Sequence, residues 1–438
     1  MARLVSTLPF HKSPRWMAAV ETVAARPARS PGRWRRLWQR AGVPDPGLVP
    51  RLLRRARYAD AVLLNGGERA DLLYLGLAGL CPWIHAPHLI VDAHWQPGAS
   101  RLHRLAQRLP LRLGRHLLAE VQPHSPEEIP LYEQVFGLPR SVVRPLPWST
   151  SLTGYEIQRR PGPGEAIVTG GHSYRDYATL IEAVRGQPWA LRIGLPPSHV
   201  SCQVAAMAAG MDNVEIVSDW SFQDYWQAVA DSRVFAMPIT PGLQRCTADQ
   251  TICNAMALGT LVVATDAMSA RLYIEHGRTG FLVPEGDVEG WRRTLAHVYA
   301  LPEAEAQAIR DAAREVASTR FSEEARLEET LRRARRAAIE WAPRRSGPAR
   351  HRLEALRWAK VGLVALLSAK ISLLASAALK ALGRRFLEPI AGRPPQLAAP
   401  TVEDPYLDDM LAGRQLGGQG AAPQMRRGRS LRRPVVGP

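Results

Sequence analysis

The sequence predicts an α/β protein with at least two cores, one of them a doubly wound parallel sheet, and a C-terminal helical extension. Three observations carry this expectation. The 438 residues, 46% of them hydrophobic, are enough to bury at least two cores. From residue 165 onward, short apolar runs alternate with helical stretches, as a parallel sheet flanked by helices requires. The stretch Asp249–Pro284 shows one such unit at close range. Ala255, Met256 and Ala257 favour a helix, Gly259 stops it, and Leu261–Ala264 is a short buried strand. That strand ends at Thr265 and Asp266, where a parallel sheet offers its carboxyl ends to a ligand. Gly277 and Gly280 bracket a turn that feeds another strand, Phe281–Val283.

In chain order, residues 1–57 are rich in arginine. Arg33, Arg35, Arg36 and Arg40 interleave with Trp34 and Trp38, and Pro44, Pro46 and Pro50 divide two short helices. Indole favours a membrane interface and guanidinium favours lipid phosphate. An arginine-rich helix packed on the outside of the first unit accounts for the same residues. Tyr58–Gly67 reads as a strand and glycine turn, residues 70–80 as an apolar helix, and His88–Trp95 as the next strand. Arg101, Arg104, Arg108, Arg112 and Arg115 recur at spacings of three and four, which predicts a helix over 100–117 with one cationic face, lipid-facing or simply solvated. Ser125 is an N-cap with Glu128 three residues on, the pattern of a capping box.

Pro139, Pro145, Pro147, Pro161 and Pro163, with Gly162 and Gly164, mark residues 139–164 as linker-like. Helices over about 303–341 are expected to return towards the first unit. Residues 353–382 are helical in character but interrupted by Lys360, Lys370 and Lys380. A charge near mid-span costs a transmembrane helix about 3 kcal/mol on insertion scales, which favours an amphipathic helix lying on a membrane or on the protein. The tail after Gly392, rich in Pro, Gly, Gln and Arg, reads as disordered.

The formal net charge of +17 favours anionic partners: a phospholipid surface, a nucleoside diphosphate or a nucleic acid. No nucleic-acid motif accompanies it, so a nucleic-acid partner is not expected. The four cysteines, at 81, 202, 246 and 253, have no paired spacing and support neither a disulfide framework nor a zinc site. The first 16 residues are too short in their apolar part for a secretory signal. A cytoplasmic placement, peripheral at the inner face of the plasma membrane, is the simplest.

Residues 249–284 resemble the nucleotide-sugar domain of retaining GT-B glycosyltransferases, the family 4-like (group 1) set. There the pattern runs Glu, seven residues, Glu, Ala-Met-Ala, small-Gly, an apolar strand, then Gly-x-Thr-Gly-aromatic-Leu-Val. Ile167–Tyr177 is similar to the first strand and loop of that domain, Ala178–Ala183 to its first helix, and Asn213–Ile216 with Val234–Pro238 to later strands. The likeness covers about residues 165–330 and implies two Rossmann-like domains facing a cleft. The implied divisions are 1–150 for an acceptor-side domain, 151–164 for a linker, 165–341 for the nucleotide-sugar domain, 342–391 for an amphipathic helical extension and 392–438 for a disordered basic tail.

The donor's diphosphate gains negative charge as the glycosidic bond breaks, so cations and helix N-termini are needed beside it. The resemblance puts Arg175 where the family has a basic residue on the diphosphate, with Gly170 and Gly171 letting the loop approach closely. It puts His94 in the cleft facing the sugar. Asn254 falls at the second motif Glu and Cys246 at the first, so the usual carboxylate grip on the ribose is missing. A subgroup carries a Gly-Gln-x-Thr run there instead. Asp249, Gln250 and Thr251 stand in register with it and are the expected replacements, each with a core or capping role as the alternative.

No Asp-x-Asp metal signature stands out, and no cofactor is implied beyond the donor itself. The expected activity is transfer of a sugar from a nucleoside diphosphate, with retention, to a lipid-linked or polysaccharide acceptor. A non-catalytic relative serving as a scaffold or binding subunit is the alternative, because both motif glutamates are replaced.

Overall fold

The computed structural model describes residues 2–8, 10, 13–25, 45, 47–66, 69–98, 100–160, 164–171 and 173–345. The arginine–tryptophan run at 33–40, the stretch 353–382 and the tail beyond 392 lie outside the described residues.

Two all-parallel sheets organise the chain. The first contains β1 (Leu4–Ser6), β2 (Val20–Thr22), β3 (Ala61–Asn65), β4 (His88–Val91) and β5 (Leu118–Val121), in the order β2-β1-β3-β4-β5. The second contains β6 (Ile167–Gly170), β7 (Leu191–Gly194), β8 (Val214–Val217), β9 (Val234–Met237), β10 (Leu261–Thr265) and β11 (Phe281–Val283), in the order β11-β10-β9-β6-β7-β8. In each sheet the chain winds outward in one direction, returns to the middle and continues in the other. The reversals fall between β1 and β3 and between β6 and β9. Loops diverge there, which opens a crevice at the carboxyl ends of the strands.

Burial on both faces explains why the strands read as continuous apolar runs. In β3, Val62 and Leu64 enter one core, while Ala61 and Leu63 enter the core on the opposite face. In the second sheet, Val168, Phe235 and Val262 share one core, and Ile167, Val234 and Leu261 the other.

The return of the last helix is seen directly. Leu327, Leu331, Ala334 and Ala338 of the helix Glu323–Arg345 pack against Leu63, Leu89 and Val91 of the first sheet. Their spacings of four, three and four place them on one stripe. The sequence segment that follows the second sheet therefore completes the core of the first.

Two local expectations hold in detail. Ser125 and Glu128 form the capping box, at the start of a 3-10 turn rather than an α-helix. The helix Asp249–Ala257 ends with Gly259 at φ +70°, and the Leu258, Gly259 and Thr260 amides turn back to Asn254, Met256 and Ala255 carbonyls.

Two others are corrected. The first 57 residues carry two strands, β1 and β2, each only three residues long. The helix Arg101–Gly114 is not simply cationic on its outer side. Arg104 and Arg108 donate to carbonyls of Gly98, Val135 and Gln134, while Leu102, Leu105 and Leu109 stand exposed.

Candidate functional site

The reversal between β6 and β9 places two loops side by side. The first leaves β6 at Gly170, passes Gly171 at φ +94° and Tyr174 at φ +59°, and reaches Arg175. The second follows β9 from Pro238 to Ala248, which at φ +69° turns the chain into the helix Asp249–Ala257. The loops are tied together by a bridge between Arg175 and Ile239 and by the Thr240 amide donating to Tyr174 at 3.1 Å.

Arg175 is half-buried. Its Nε donates to the Gly170 carbonyl at 3.3 Å and its Nη1 to the Ser173 carbonyl at 2.6 Å. Burial lowers its pKa from the ordinary arginine value, opposed by Tyr177, Tyr225 and Asp249. Gly171 lies under the guanidinium, where a Cβ would come within 3.2 Å of Nη2. Gly170 has a packing reason to be glycine. A Cβ there would stand 2.6 Å from the Tyr225 ring and 2.9 Å from the Gly194 carbonyl oxygen.

Arg245, in the second loop, donates Nε to the Cys246 carbonyl at 3.0 Å, with its guanidinium 5.3 Å from the centre of the Tyr174 ring. Two arginines thus flank one loop crest at the point where a parallel sheet receives ligands.

The first sheet faces this crest with His94. Its Nδ1 lies 2.6 Å from the Asp92 carbonyl oxygen. A carbonyl can only accept, so Nδ1 carries the proton and Nε2 keeps its lone pair. Burial brings the pKa of His94 down to about 4, with Arg245 and His124 adding repulsion against the weaker pull of Asp92. At neutral pH this is an uncharged hydrogen-bond acceptor, suited to a hydroxyl and not to a phosphate.

Behind His94 a buried chain of charges joins the sheets. Asp92, at φ +58° beyond β4, is ion-paired with Arg326 of the helix Glu323–Arg345. His124, beyond β5, sits between Asp92 (Nε2 to Oδ1, 3.6 Å) and Asp249 (Nδ1 to Oδ2, 3.4 Å). Burial alone would depress the pKa of His124, but the two carboxylates raise it to about 9. Burial alone would raise that of Asp92, but Arg326 and then His124 hold it below the usual carboxylate range. Trp148 closes the group, with the Arg326 guanidinium 4.6 Å from its ring centre and the His124 ring 5.2 Å away. Nearby, Glu128 uses Oε2 for its cap and Oε1 to accept the Cys246 amide at 3.0 Å, so the capping carboxylate also spans the two halves.

The structure therefore divides the sequence-predicted residues. Gly170, Gly171 and Arg175 form one loop, with His94 approaching from the opposite sheet. Asp249 is committed to His124. Asn254 is wholly buried: its Oδ1 accepts the Ser151 amide at 2.9 Å and its Nδ2 donates to the Ser151 hydroxyl at 3.0 Å. Gln250 donates to the same hydroxyl at 2.6 Å. Gln250 and Asn254 thus hold the Ser151 segment that runs between the two sheets. Thr251 is partly buried in the first turn of its helix. Burial pushes the Cys246 thiol far up, so the residue at the first motif position is no nucleophile. Among the described residues no cluster of three or more His, Cys, Asp or Glu could hold a metal ion.

Asp92, His124, Arg245 and Arg326 were not singled out from the sequence. The available signal was positional: Asp92 and His124 follow the carboxyl ends of β4 and β5, on the side of the sheet where ligands sit.

Two doubly wound sheets facing one another, joined by a linker and by a last helix that returns to the first sheet, make the GT-B architecture of nucleotide-sugar enzymes. Residues 185–300 match the family model of glycosyl transferases group 1. The chain carries a group 1 glycosyltransferase domain within a GT-B fold. A glycosyltransferase from Rickettsia africae superposes with a TM-score of 0.57 at 14% identity, over 77% of this chain and 98% of its own. Anabaena HepE, solved with UDP and glucose, gives 0.56 at 16% identity over 76% and 100%. Sucrose-phosphate synthase of Thermosynechococcus elongatus gives 0.50 at 18% identity over 72% and 82%. No curated protein matches the sequence. Among the described residues no helix is long and apolar enough to cross a membrane.

Proposed function

We propose that the protein transfers a sugar from a nucleoside diphosphate, with retention, to a lipid-linked or polysaccharide acceptor. Residues 1–150 form the acceptor side and 165–341 the donor side. The observation that carries this reading is the pair Arg175 and Arg245, flanking the glycine loop at the β6–β9 reversal with neutral His94 opposite. The arginines neutralise the departing diphosphate without a metal, and His94 Nε2 accepts a sugar hydroxyl. That Anabaena HepE, which shares the fold, was solved with UDP and glucose supports a uridine donor.

A lipid-linked acceptor is supported by the helix Arg101–Gly114. It exposes Leu102 to 76%, with Leu105 and Leu109 beside it and Arg101 and Arg112 on the flanking face. Leucines bordered by arginines suit peripheral attachment to an anionic bilayer, at the cytoplasmic face.

A second reading is favoured by the missing motif carboxylates. Cys246 and Asn254 are both buried, and with only neutral groups at those positions a ribose is held less firmly. The protein then binds without turning over.

The test is a melting-temperature panel of UDP-, GDP- and ADP-sugars with wild type, Arg175→Ala and Arg245→Ala. One nucleotide should raise the wild-type melting temperature and neither variant's. No rise with any donor at millimolar concentration overturns the donor site. A rise without release of nucleoside diphosphate in the presence of acceptor lipid or glycan favours the binding subunit.

A further inference from the structure

At the edge of the first sheet the helix Glu323–Arg345 covers a cavity of about 430 Å³, lined by Arg140, Arg144, Arg332, Arg333, Arg336 and Glu329, among others. It shares no lining residue with the β6–β9 loops. Two arginines come from the segment after β5 and three from one side of the helix, so residues almost 200 positions apart converge on one opening.

Carboxylates organise the floor. Glu120 of β5, buried, takes Arg336 at 2.8 Å, Arg333 at 3.5 Å and Arg144 at 3.9 Å. Glu329 pairs with Arg332 and with Arg333, each at 2.6 Å, and Glu340 reaches Arg336 from the rim at 3.8 Å. Pinning the helix to the sheet accounts for Arg333, which also donates to the Arg144 and Pro145 carbonyls, and for Arg336. It does not account for Arg140 and Arg144. Among the described residues, the Arg140 guanidinium donates to the Val143 carbonyl at 3.1 Å, and Arg144 has only Glu120, beyond hydrogen-bond distance. Five guanidinia against three carboxylates leave positive charge in a recess whose charged lining excludes an apolar guest. The planar fork of arginine matches phosphate oxygens two at a time.

We propose that this cavity binds a phosphate group, as a site separate from the donor loop. The phosphate is either soluble or the headgroup of an anionic lipid, and Arg140, Arg144 and Arg332 grip it at the mouth.

The experiment uses the full chain at constant ionic strength, set with chloride. Melting temperature is followed with inorganic phosphate and pyrophosphate. Binding is followed by co-sedimentation with phosphatidylcholine vesicles, with and without phosphatidylglycerol. Wild type is compared with Arg140→Gln/Arg144→Gln, with Arg332→Gln alone as a milder variant, and with Arg175→Ala. At about a hundredfold excess over Kd, a soluble phosphate should raise the melting temperature by about 4 °C in wild type and Arg175→Ala, and by less in both mouth variants. If the headgroup is the source, the soluble anions give no rise, and the extra sedimentation on phosphatidylglycerol falls in the mouth variants. No response to either source overturns the proposal. So does a response that survives in the folded mouth variants.

Discussion

Raising the pH from 6.5 to 9 should loosen the junction between the two sheets, and His124 sets by how much. Its ring is buried between Asp92 and Asp249, and its pKa in the folded protein is about 9. In the unfolded chain an ordinary histidine titrates near 6.5. Because the folded value is the higher one, the protonated ring stabilises the fold. The contribution is complete below pH 6.5 and is lost as the pH rises through 9. About two and a half units at about 1.4 kcal/mol each give roughly 3 kcal/mol.

For a chain with this much ordered structure, the unfolding entropy is about 0.7 kcal/mol/K, so the loss is about 5 °C in melting temperature. The assay is thermal denaturation of wild type and His124→Gln from pH 6 to pH 9.5. Other titrating groups are common to both proteins, so the difference between the two curves isolates His124. Wild type should lose about 5 °C more than the variant over that range. Parallel curves would refute the idea that a charged imidazolium joins the sheets.

Two further predictions concern the same junction. Arg326→Met leaves the Asp92 carboxylate buried without its guanidinium and should cost about 3–5 kcal/mol in chemical denaturation, most of it recovered in Asp92→Asn/Arg326→Met. Asn254→Ala strips the Ser151 amide and hydroxyl of a partner and should cost about 1–3 kcal/mol, while leaving the Kd for the donor unchanged. A weakened donor Kd in a stably folded Asn254→Ala would return this residue to the sugar site.

How much was legible differs between the halves. The second sheet was readable because its strands are flanked by strong local signals: the Gly259 stop, the glycines around 277–280 and the apolar run 261–264 each specify conformation over a few residues. β1 and β2 were not. Each has three residues, and the partners that bury them lie 16 to 57 positions away. The site shows the same divide. The loop Gly170–Arg175 is contiguous and could be read as a loop. The alignment that placed Asn254 at a ribose could not reveal that its side chain bonds the amide and hydroxyl of Ser151, about a hundred residues earlier. His124 carried no local signal, because its carboxylate partners lie just beyond β4 and at the start of the helix Asp249–Ala257.

The return of the helix Glu323–Arg345 to the first sheet also dictates an order of events during synthesis. Leu63, Leu89 and Val91 are made early, yet the leucines and alanines that cover them are nearly the last described residues to leave the ribosome. Until then, among the described residues, that face of the first sheet has only Leu8, Trp16 and Val20 to cover it, while the cores of the second sheet are complete once the chain has reached Phe321. The half that starts first therefore finishes last, sealed by contacts between residues far apart in the chain, the kind of closure that costs most loop entropy.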